Sequence, residues 1–230
     1  MSSWRVRLVK FLLRHRWSLS LAVLSVLFFL RLASEVRENE LGAFDHAIAS
    51  WLQAGRGRWD GAMLVLTHAG GQRGMTTVCV SAALLLALAK HRRASIFVLV
   101  CGTGALLLTI WLKLWFHRAR PESSALYLIE VPSSFSFPSG HALGSTSVLG
   151  CLAVLAHALR WRPAWSLTVT GCASALIVGV AASRVYFGVH YASDVLGGML
   201  AGAAWVTAVT GWFYPHLLPG ETSIRPAPNV

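Results

Sequence analysis

Long apolar stretches separated by short polar segments run through this chain of 230 residues. A helix needs about 20 mostly apolar residues to cross the hydrocarbon core of a bilayer. Six stretches approach that length, and the second is the shortest. We predict transmembrane helices at Trp17–Ala33, Met75–Ala89, Ala94–Leu112, Ala142–Leu159, Ala164–Ala182 and Ala192–Tyr214. The predicted fold class is therefore all-α, a polytopic membrane protein built as a six-helix bundle.

A further helix is predicted between the first two spans, within residues 41–66. Its apolar positions recur at helical spacing: Leu41, Phe44, Ile48, Trp51 and Leu52. Such a helix lies on the membrane surface or packs into the bundle, and the pattern fits both. Gly55–Gly57 and Gly70–Gly74 flank an apolar stretch at Ala62–Thr67 and indicate loops or hinges.

The two ends of the chain are more polar than its middle. Residues 1–16 form a basic segment, residues 17–214 the membrane domain, and residues 215–230 a short polar tail, rich in proline, that we predict to be disordered. A basic segment before an apolar run is also typical of a signal peptide. We predict an uncleaved signal anchor, because Arg31 follows the run where a cleavage site needs small residues, and more spans follow.

Charge bears on the location and orientation of the protein. The chain has 20 Lys and Arg against 9 Asp and Glu, and 55% of its residues are hydrophobic. With both termini in the cytoplasm, one acid, Glu221, and 11 cations face that side: Arg5, Arg7, Lys10, Arg14, Arg16, Lys90, Arg92, Arg93, Arg160, Arg162 and Arg225. The net charges are then +10 inside and +1 outside. This asymmetry predicts an integral plasma (inner) membrane protein and explains the basic charge without a nucleic-acid partner.

The cysteines and the acidic residues give no sign of a metal or of another cofactor. Cys79, Cys101, Cys151 and Cys172 fall inside predicted spans without paired spacing, so we interpret them as small buried thiols. No cluster of metal ligands is visible in the sequence. We therefore predict that the protein has no cofactor and no metal site.

Three polar segments interrupt the apolar pattern, and in the predicted topology all three lie on the outer side. They are KLWFHRARP at 113–121, PSGH at 138–141 and SRVYFGVHYASD at 183–194. The cations Lys113, Arg120 and Arg184 could each be a span-end anchor, since Lys and Arg often place their charge at the interface. Together with two histidines and one carboxylate they form a set that can bind and attack a phosphoryl group.

The second segment begins a predicted helix. Pro138 suits a helix start, Gly140 lets the backbone approach an anion, and the exposed amides of a first helical turn can bind phosphate. Ser139 adds a hydroxyl donor, and His141 is placed as a general acid. The same four residues are also compatible with an ordinary turn at the start of a helix.

In the third segment His190 precedes Asp194 by four residues, which stacks their side chains on one helix face. A carboxylate that accepts a proton from one imidazole nitrogen leaves the other nitrogen free to attack. The pair could also be structural. A carboxylate at the membrane end of an apolar helix requires a partner in either case.

In this order, the motifs resemble those of the type 2 phosphatidic acid phosphatase superfamily. That family includes membrane lipid phosphatases, glucose-6-phosphatase, bacterial soluble acid phosphatases and vanadium haloperoxidases. The resemblance covers roughly Met75 to Trp212, and the motif positions are Lys113, Arg120, Pro121, Pro138, Ser139, Gly140, His141, Ser183, Arg184, His190 and Asp194.

The resemblance implies a role for each side chain. It implies that His190 is the nucleophile that forms a phosphohistidine, that Asp194 orients it, and that His141 protonates the leaving oxygen. Cage residues for the phosphoryl oxygens would be Lys113, Arg120, Ser139, Gly140 and Arg184. Charge stabilisation of this kind can replace a divalent metal.

The function predicted from the resemblance is an integral-membrane lipid phosphatase that acts on a lipid phosphate or pyrophosphate in the bilayer. Candidate substrates are undecaprenyl pyrophosphate, phosphatidylglycerophosphate and phosphatidic acid. A lipid A phosphatase or phosphotransferase of the same family carries the same motifs. A vanadium peroxidase is disfavoured because the peroxidases of the family are soluble. A non-catalytic lipid-binding or transport module is disfavoured because His141, His190 and Asp194 are all present.

Three further features lie beside the motifs. His117 is interpreted as a residue at the rim of the site, and residues 122–137 as a lid or substrate rim. Gly198 and Gly202 give the last span a GxxxG spacing, which predicts close helix contact within the chain or between two copies.

Overall fold

The computed structural model describes residues 3–122, 129, 133–159 and 161–217, which form eight α-helices without a strand. The helices are α1 (Ser3–Arg37), α2 (Gly42–Gln53), α3 (Asp60–Ala69), α4 (Gln72–Leu88), α5 (Arg92–Phe116), α6 (Gly140–Ala158), α7 (Pro163–Tyr186) and α8 (Ala192–Leu217). The all-α fold class predicted from the sequence is confirmed. Residues 218–230 of the predicted tail and most of the predicted lid lie outside the described residues, whereas residues 215–217 continue α8.

Five of these helices are long and apolar enough to cross a membrane: α1, from Ser18 onward, α5, α6, α7 and α8. A sixth span arises only if α3 and α4 count as one, since they are bent by 51° at a short break. That break explains why the second predicted span is short, because it is the longer half of a bent pair. Helix α1 also differs from the prediction, because it continues without interruption from Ser3 through the basic segment.

Helix α8 packs directly against α6 through its glycines. A Cβ atom added at Gly198 would lie 2.5 Å from the Ser139 carbonyl oxygen, and one at Gly202 would lie 2.8 Å from that of Leu143. Only glycine permits this approach, so the GxxxG face is used within the chain. The contact brings the first turn of α8 beside the first turn of α6.

The far end of the bundle holds an apolar core between α4, α5, α6 and α8. Phe97, Val98, Cys101 and Cys151 are fully buried there. Cys79 is buried in the same cluster, whereas Cys172 is exposed on the outer surface of α7. The prediction of four buried thiols is therefore wrong for Cys172, which occupies a position that a bilayer would cover.

Large apolar side chains cover the outside of the helices. On α1, Leu27 and Phe28 are more than half exposed, as are Leu107 on α5 and Leu167 on α7. An apolar surface of this kind suits contact with lipid rather than water. These outward-facing residues explain why the hydrophobic fraction of the chain is higher than its internal core alone would require.

Helix α2 packs one of its faces on the bundle. Ile48 and Leu52 pack against the cluster formed by α6, α7 and α8, while Trp51 is 74% exposed. The two interpretations of this helix are therefore combined, because it docks on the bundle and also presents an aromatic residue outward. Its docking places α2 over the end of the bundle where α5 and α7 finish and α6 and α8 begin.

Candidate active site

The eight residues singled out in the sequence lie at this one end of the bundle. Lys113 is in the last turn of α5, Arg120 follows in the next loop, and Arg184 is in the last turn of α7. Ser139 precedes α6, whose first two residues are Gly140 and His141, and Asp194 is in the first turn of α8, after His190. Short connections and helix ends therefore bring together residues that are up to 81 positions apart in the chain.

His190 is held by partners on both ring nitrogens and is 3% exposed. Its Nε2 lies 3.2 Å from Nη1 of Arg120, and its Nδ1 lies 3.3 Å from Oδ2 of Asp194. A guanidinium can only donate hydrogen bonds, so Nε2 is the acceptor and Nδ1 carries the proton. This is the tautomer in which Asp194 accepts from the ring and the lone pair of Nε2 faces the cations.

The surroundings also keep His190 neutral. Burial lowers the pKa of the His190 imidazole; Asp194 opposes this shift and the nearby cations Arg120 and Arg184 add to it, so that the pKa is about 4. An imidazole with this pKa is unprotonated near neutral pH. The ring therefore keeps an unprotonated Nε2, whose lone pair accepts from Arg120.

Asp194 is fully buried and saturated with hydrogen bonds. Its Oδ2 accepts from the Tyr191 amide at 2.9 Å and from the Ser136 hydroxyl. Its Oδ1 accepts from Nη1 of Arg118 at 2.6 Å. Its backbone carbonyl accepts from the Ser139 amide at 3.0 Å, which ties the start of α6 to the start of α8. These hydrogen bonds fix the position of the carboxylate, and the ion pair with Arg118 balances its negative charge.

Arg118 links Asp194 to helix α2. Its Nη2 lies 3.0 Å from Oδ2 of Asp45, a side chain that is only 4% exposed. Asp45 in turn accepts from the amide of Ser193 at 2.7 Å and from the hydroxyl of Ser193 at 2.8 Å. The Arg118 guanidinium also lies 4.1 Å from the centre of the Tyr191 ring. A charged network therefore lies beside His190 and Asp194 on the α2 side.

Two of the three motif cations are anchored by the backbone of the loop before α6. Nε of Arg120 donates to the Ser134 carbonyl at 2.8 Å, and its Nη1 donates to the Val189 carbonyl at 2.7 Å. Nζ of Lys113 donates to the Phe135 carbonyl. Their charges have no carboxylate partner in the part of the chain that the structure describes. Such cations form a site prepared for an anion.

Two buried polar atoms in the same region lack a hydrogen-bond partner among the described residues: Oγ of Ser139 and Nε of Arg184. Arg184 is 3% exposed and donates from Nη1 to the Thr67 hydroxyl. Buried polar groups are normally satisfied, and exceptions often mark a functional site. Both atoms are suited to donate to phosphoryl oxygens.

His141, the second residue of α6, lies near the motif cations. It is within electrostatic range of His190, Arg184, Arg120 and Lys113. It lines a cavity of about 890 Å³ together with Arg184. A second, apolar cavity of about 180 Å³ begins beside the first, shares Gln72 and Thr76 with it, and runs between α4 and α5. His190 lines a separate cavity of about 440 Å³ on the α2 side.

Sequence reasoning overlooked several residues that support the site, namely Asp45, Thr67, Arg118 and Ser136. Arg118 and Ser136 lie beside recognised motif positions, and Asp45 is a lone carboxylate in an amphipathic helix. That carboxylate was a signal that could have been used, because a buried acid needs a cationic partner. His117, in contrast, ends α5 in a left-handed conformation and packs edge-on against Phe135.

No group of three His, Cys, Asp or Glu side chains suited to a metal ion occurs among the described residues. The donors at the site are cations, a hydroxyl and amides, which bind anions rather than metals. Metal independence remains a prediction to be tested directly.

Known proteins are similar to this chain in both sequence and fold. The family model of the PAP2 superfamily matches residues 93–217. Phosphatidylglycerophosphatase B of Bacillus subtilis is 33% identical over 189 residues, covering 81% of this chain and 91% of that protein. An undecaprenyl-diphosphatase of Sulfolobus acidocaldarius is 34% identical over 54% of this chain and 57% of its own length.

A solved structure supports the same relationship. The crystal structure of a transmembrane PAP2 type phosphatidylglycerolphosphate phosphatase from Bacillus subtilis matches with a TM-score of 0.73 at 33% identity, covering 84% of this chain and 95% of that one. The motifs, the fold and the matched length agree, and the chain belongs to the PAP2 superfamily, in its branch of membrane lipid phosphatases.

Proposed function

We propose that this membrane lipid phosphatase removes the terminal phosphate of a lipid phosphate or pyrophosphate through a phosphohistidine intermediate on His190. The observation that carries the proposal is the pair of contacts on the His190 ring. Asp194 holds the proton on Nδ1, and the Nε2 lone pair faces Arg120. This is the arrangement that an attacking imidazole requires.

In the proposed reaction, Nε2 of His190 attacks phosphorus as the bond from phosphorus to the lipid oxygen breaks. His141 gives its proton to the departing oxygen, and Asp194 stabilises the imidazole as it becomes cationic. Water then attacks the phosphohistidine, which releases inorganic phosphate, and the now neutral His141 accepts the proton of that water. Binding of the anionic phosphoryl group beside His141 favours its protonated form for the first step.

The phosphoryl oxygens would be bound by the cation cage. Lys113, Arg120 and Arg184 supply the charges, while Ser139 and the Gly140 amide supply neutral donors at the start of α6. The phosphoryl group would take over the hydrogen bond that Arg120 now makes to Nε2 and so release the nucleophile. Fixed charges of this kind stabilise the transition state without a metal ion.

Phosphatidylglycerophosphate is the first substrate to test. The relative that the chain matches over most of its length is named for activity on that lipid. Undecaprenyl pyrophosphate follows, because another relative is named for a diphosphate of this class. Phosphatidic acid carries the same reactive monoester and completes the panel.

We also propose that the site faces the outer side of the membrane and that both termini are cytoplasmic. The site lies where α5 and α7 end and where α6 and α8 begin. The turns at the opposite ends of these helices contain Lys90, Arg92 and Arg93, and also Arg162. The positive-inside rule directs these turns to the cytoplasm.

The decisive experiment replaces the proposed nucleophile. His190→Gln should lower phosphate release from phosphatidylglycerophosphate in detergent by about 1,000-fold or more, because no other described group is placed to attack. Wild-type enzyme quenched with radiolabelled substrate should carry an acid-labile, base-stable phosphate that this variant lacks.

The matched control is His157→Gln. His157 is exposed at the other end of the bundle and contacts Thr170, so its replacement should leave turnover within about twofold. Size-exclusion profiles should show that both variants are folded. Full activity of the His190 variant would remove the nucleophile assignment. Activity should also survive EDTA, and a strict requirement for added magnesium would contradict a cage that works without metal.

A further inference from the structure

The cavity beside His141 contains a cation and an imidazole that the proposed reaction does not use. Arg73 and His68 line this space of about 890 Å³ together with His141 and Arg184. Its volume lies within the range of ordinary ligand pockets, about 300 to 1,000 Å³. It is far larger than a single phosphoryl group, so the space on the leaving-group side must accommodate more of the substrate.

Arg73 is held close to His141 by the start of α4. A Cβ atom added at Gly71 would lie 3.5 Å from Nε2 of His141, so the backbone just before α4 touches the proposed acid. Arg73 is only two residues further along. Consecutive Cα atoms are about 3.8 Å apart, so the long side chain of Arg73 starts within about 8 Å of this contact. Arg73 and His141 both line the same cavity.

The charge of Arg73 has no partner in the structure as described. It forms neither an ion pair nor a hydrogen bond with the described residues, and no carboxylate is among the residues that line the cavity. The first turn of α4 contains no acidic residue. Its free backbone amides give this end of the helix a partial positive charge beside the same cavity. Nε of Arg184, buried and unpartnered, lines the cavity from α7.

His68 lines the same cavity. Its Nδ1 lies 2.7 Å from the Leu64 carbonyl, so Nδ1 carries a proton and donates it. This contact fixes the ring in the last turn of α3, just before the break between α3 and α4.

We propose that Arg73 is the charged donor of a subsite for a second phosphoryl group, carried by the leaving-group side of the substrate, and that the fixed ring of His68 forms one wall of this subsite. The proposal rests on the proposed function and makes it more specific. It assigns the enzyme to lipids with two phosphoryl groups, either adjacent as in a lipid diphosphate or separated by glycerol as in phosphatidylglycerophosphate. Phosphatidic acid, which has a single phosphoryl group, would leave the subsite empty.

In chemical terms the second phosphoryl group stays on the product. Cleavage breaks the bond between the terminal phosphorus and the bridging or glycerol oxygen, and that oxygen takes the proton of His141. The product is then a lipid monophosphate or phosphatidylglycerol, and both retain an anionic phosphorus centre. Arg73 would hold that centre as charge develops on the oxygen next to it.

The test compares two matched substrate pairs. Farnesyl diphosphate is measured against farnesyl monophosphate, and phosphatidylglycerophosphate against phosphatidic acid, in the same mixed micelles. Arg73→Gln should lower the ratio of kcat/KM within a pair by about 10-fold or more, since one charged hydrogen bond is lost only for the larger substrate. Arg73→Lys should restore part of the ratio.

Arg58→Gln provides the control for the loss of one positive charge near the site. Arg58 stacks on Trp59 and does not line the cavity. If Arg73→Gln lowers the kcat/KM ratio of the farnesyl pair alone, the subsite binds a phosphoryl group directly joined to the reacting one. If it lowers the ratio of the phosphatidyl pair alone, the subsite binds a phosphoryl group separated from the reacting one by glycerol. Equal losses for all four substrates, or the same ratios in both variants, would overturn the proposal.

Inhibition gives a second measurement that does not need turnover. Methylenebisphosphonate should inhibit wild-type enzyme more strongly than inorganic phosphate does, and Arg73→Gln should remove about 10-fold of that advantage. Equal inhibition by both anions in wild-type enzyme would count against the subsite. Failure of the subsite can be distinguished from failure of the proposed function. If the proposed function is wrong, the His190 variant will still hydrolyse the same lipids.

Discussion

At the scale of single residues, the main physical effect is the removal of His190 from water. A histidine in water has a pKa of about 6.5, whereas burial lowers the pKa of His190 to about 4. The protonated form is therefore disfavoured in the folded protein. Between these two values the unfolded chain binds more protons, so this group's contribution to stability is present above about pH 6.5 and is lost as the pH falls toward 4.

The same shift predicts the acid limb of the reaction. We expect kcat/KM to persist to about pH 4 and to fall about tenfold per pH unit below it, because a protonated imidazole cannot attack. The profile should be corrected for the second ionisation of the substrate, measured separately by phosphorus NMR. Enzyme returned to pH 7 after each exposure must regain its activity. If the acid side of the corrected profile has an apparent pKa near 6.5, His190 is more hydrated than its contacts imply.

His141 should be sensitive to the leaving group. We expect His141→Ala to reduce kcat/KM by roughly 100-fold or more for a lipid monoester and by less than about tenfold for p-nitrophenyl phosphate. The nitrophenolate oxygen is stable as an anion and leaves without a proton, whereas the alkoxide oxygen of a lipid monoester must be protonated as it leaves. The measurement is the ratio of the two losses, and equal losses would remove the acid role from His141.

At the scale of secondary-structure elements, the docking of α2 is linked to the proposed nucleophile. Asp45 on α2 and Asp194 on α8 share the guanidinium of Arg118. Two carboxylates that are nearly or fully buried would repel each other without that cation. Helix α2 is thus part of the support of the site, although the sequence predicted only a surface or packing role for it.

We expect Arg118→Gln to lower kcat by about 10- to 100-fold while KM changes little, because Arg118 acts through Asp194 and not on the substrate. Asp45→Asn should lower kcat less. The double variant should lose less than the product of the two single effects, as expected for residues of one network.

Arg31→Gln is the control for this prediction, since the ion pair of Arg31 with Glu35 is largely exposed. Additive effects of the two substitutions, or a change confined to KM, would argue against a positioning role. Rescue by Arg118→Lys would support it, since a lysine keeps the charge between the two acids.

Helix periods and glycine spacing were enough to predict most of the elements. The apolar runs predicted six spans, of which five are single helices long and apolar enough to cross a membrane and the other is the longer half of a bent pair. The GxxxG spacing correctly indicated the close contact of α8, which the structure places against α6. The break between α3 and α4 could not be derived in this way, because two glycines are compatible with a loop, a hinge or a bent span. Long-range ion pairs such as Asp45 with Arg118 also have no local signature in the sequence.

At the scale of the whole molecule, the basic turns and the site lie at opposite ends of the helices. This separation predicts the orientation in the membrane. In a variant without the native cysteines, a cysteine at His117 should react with a membrane-impermeant maleimide added to intact cells, whereas one at His91 should react only after lysis.

Both labelling variants should retain phosphatase activity, because neither residue contacts the cation cage. Labelling of position 91 in intact cells, with protection of position 117, would invert the topology and place the site in the cytoplasm. The fold and the candidate chemistry would remain as described in that case.

Motif spacing was sufficient to select the catalytic candidates, because His190 and Asp194 are local and the remaining positions follow a known order. The spacing did not reveal what holds them. Arg118, Ser136 and Thr67 contribute through contacts that only the folded chain creates, and they are separated from their partners by between 58 and 117 residues. The sequence therefore indicated the candidate reacting groups but not the side chains that contact them.

The bend between α3 and α4 has a consequence for how a lipid approaches. The cavity beside His141 and the apolar cavity between α4 and α5 share the lining residues Gln72 and Thr76. We expect a lipid to enter sideways along these cavities, with its tails still in the leaflet and only its headgroup inside the protein. The quantity that governs turnover is then the mole fraction of substrate in the bilayer, and diluting the vesicles in more buffer should leave the rate per enzyme unchanged.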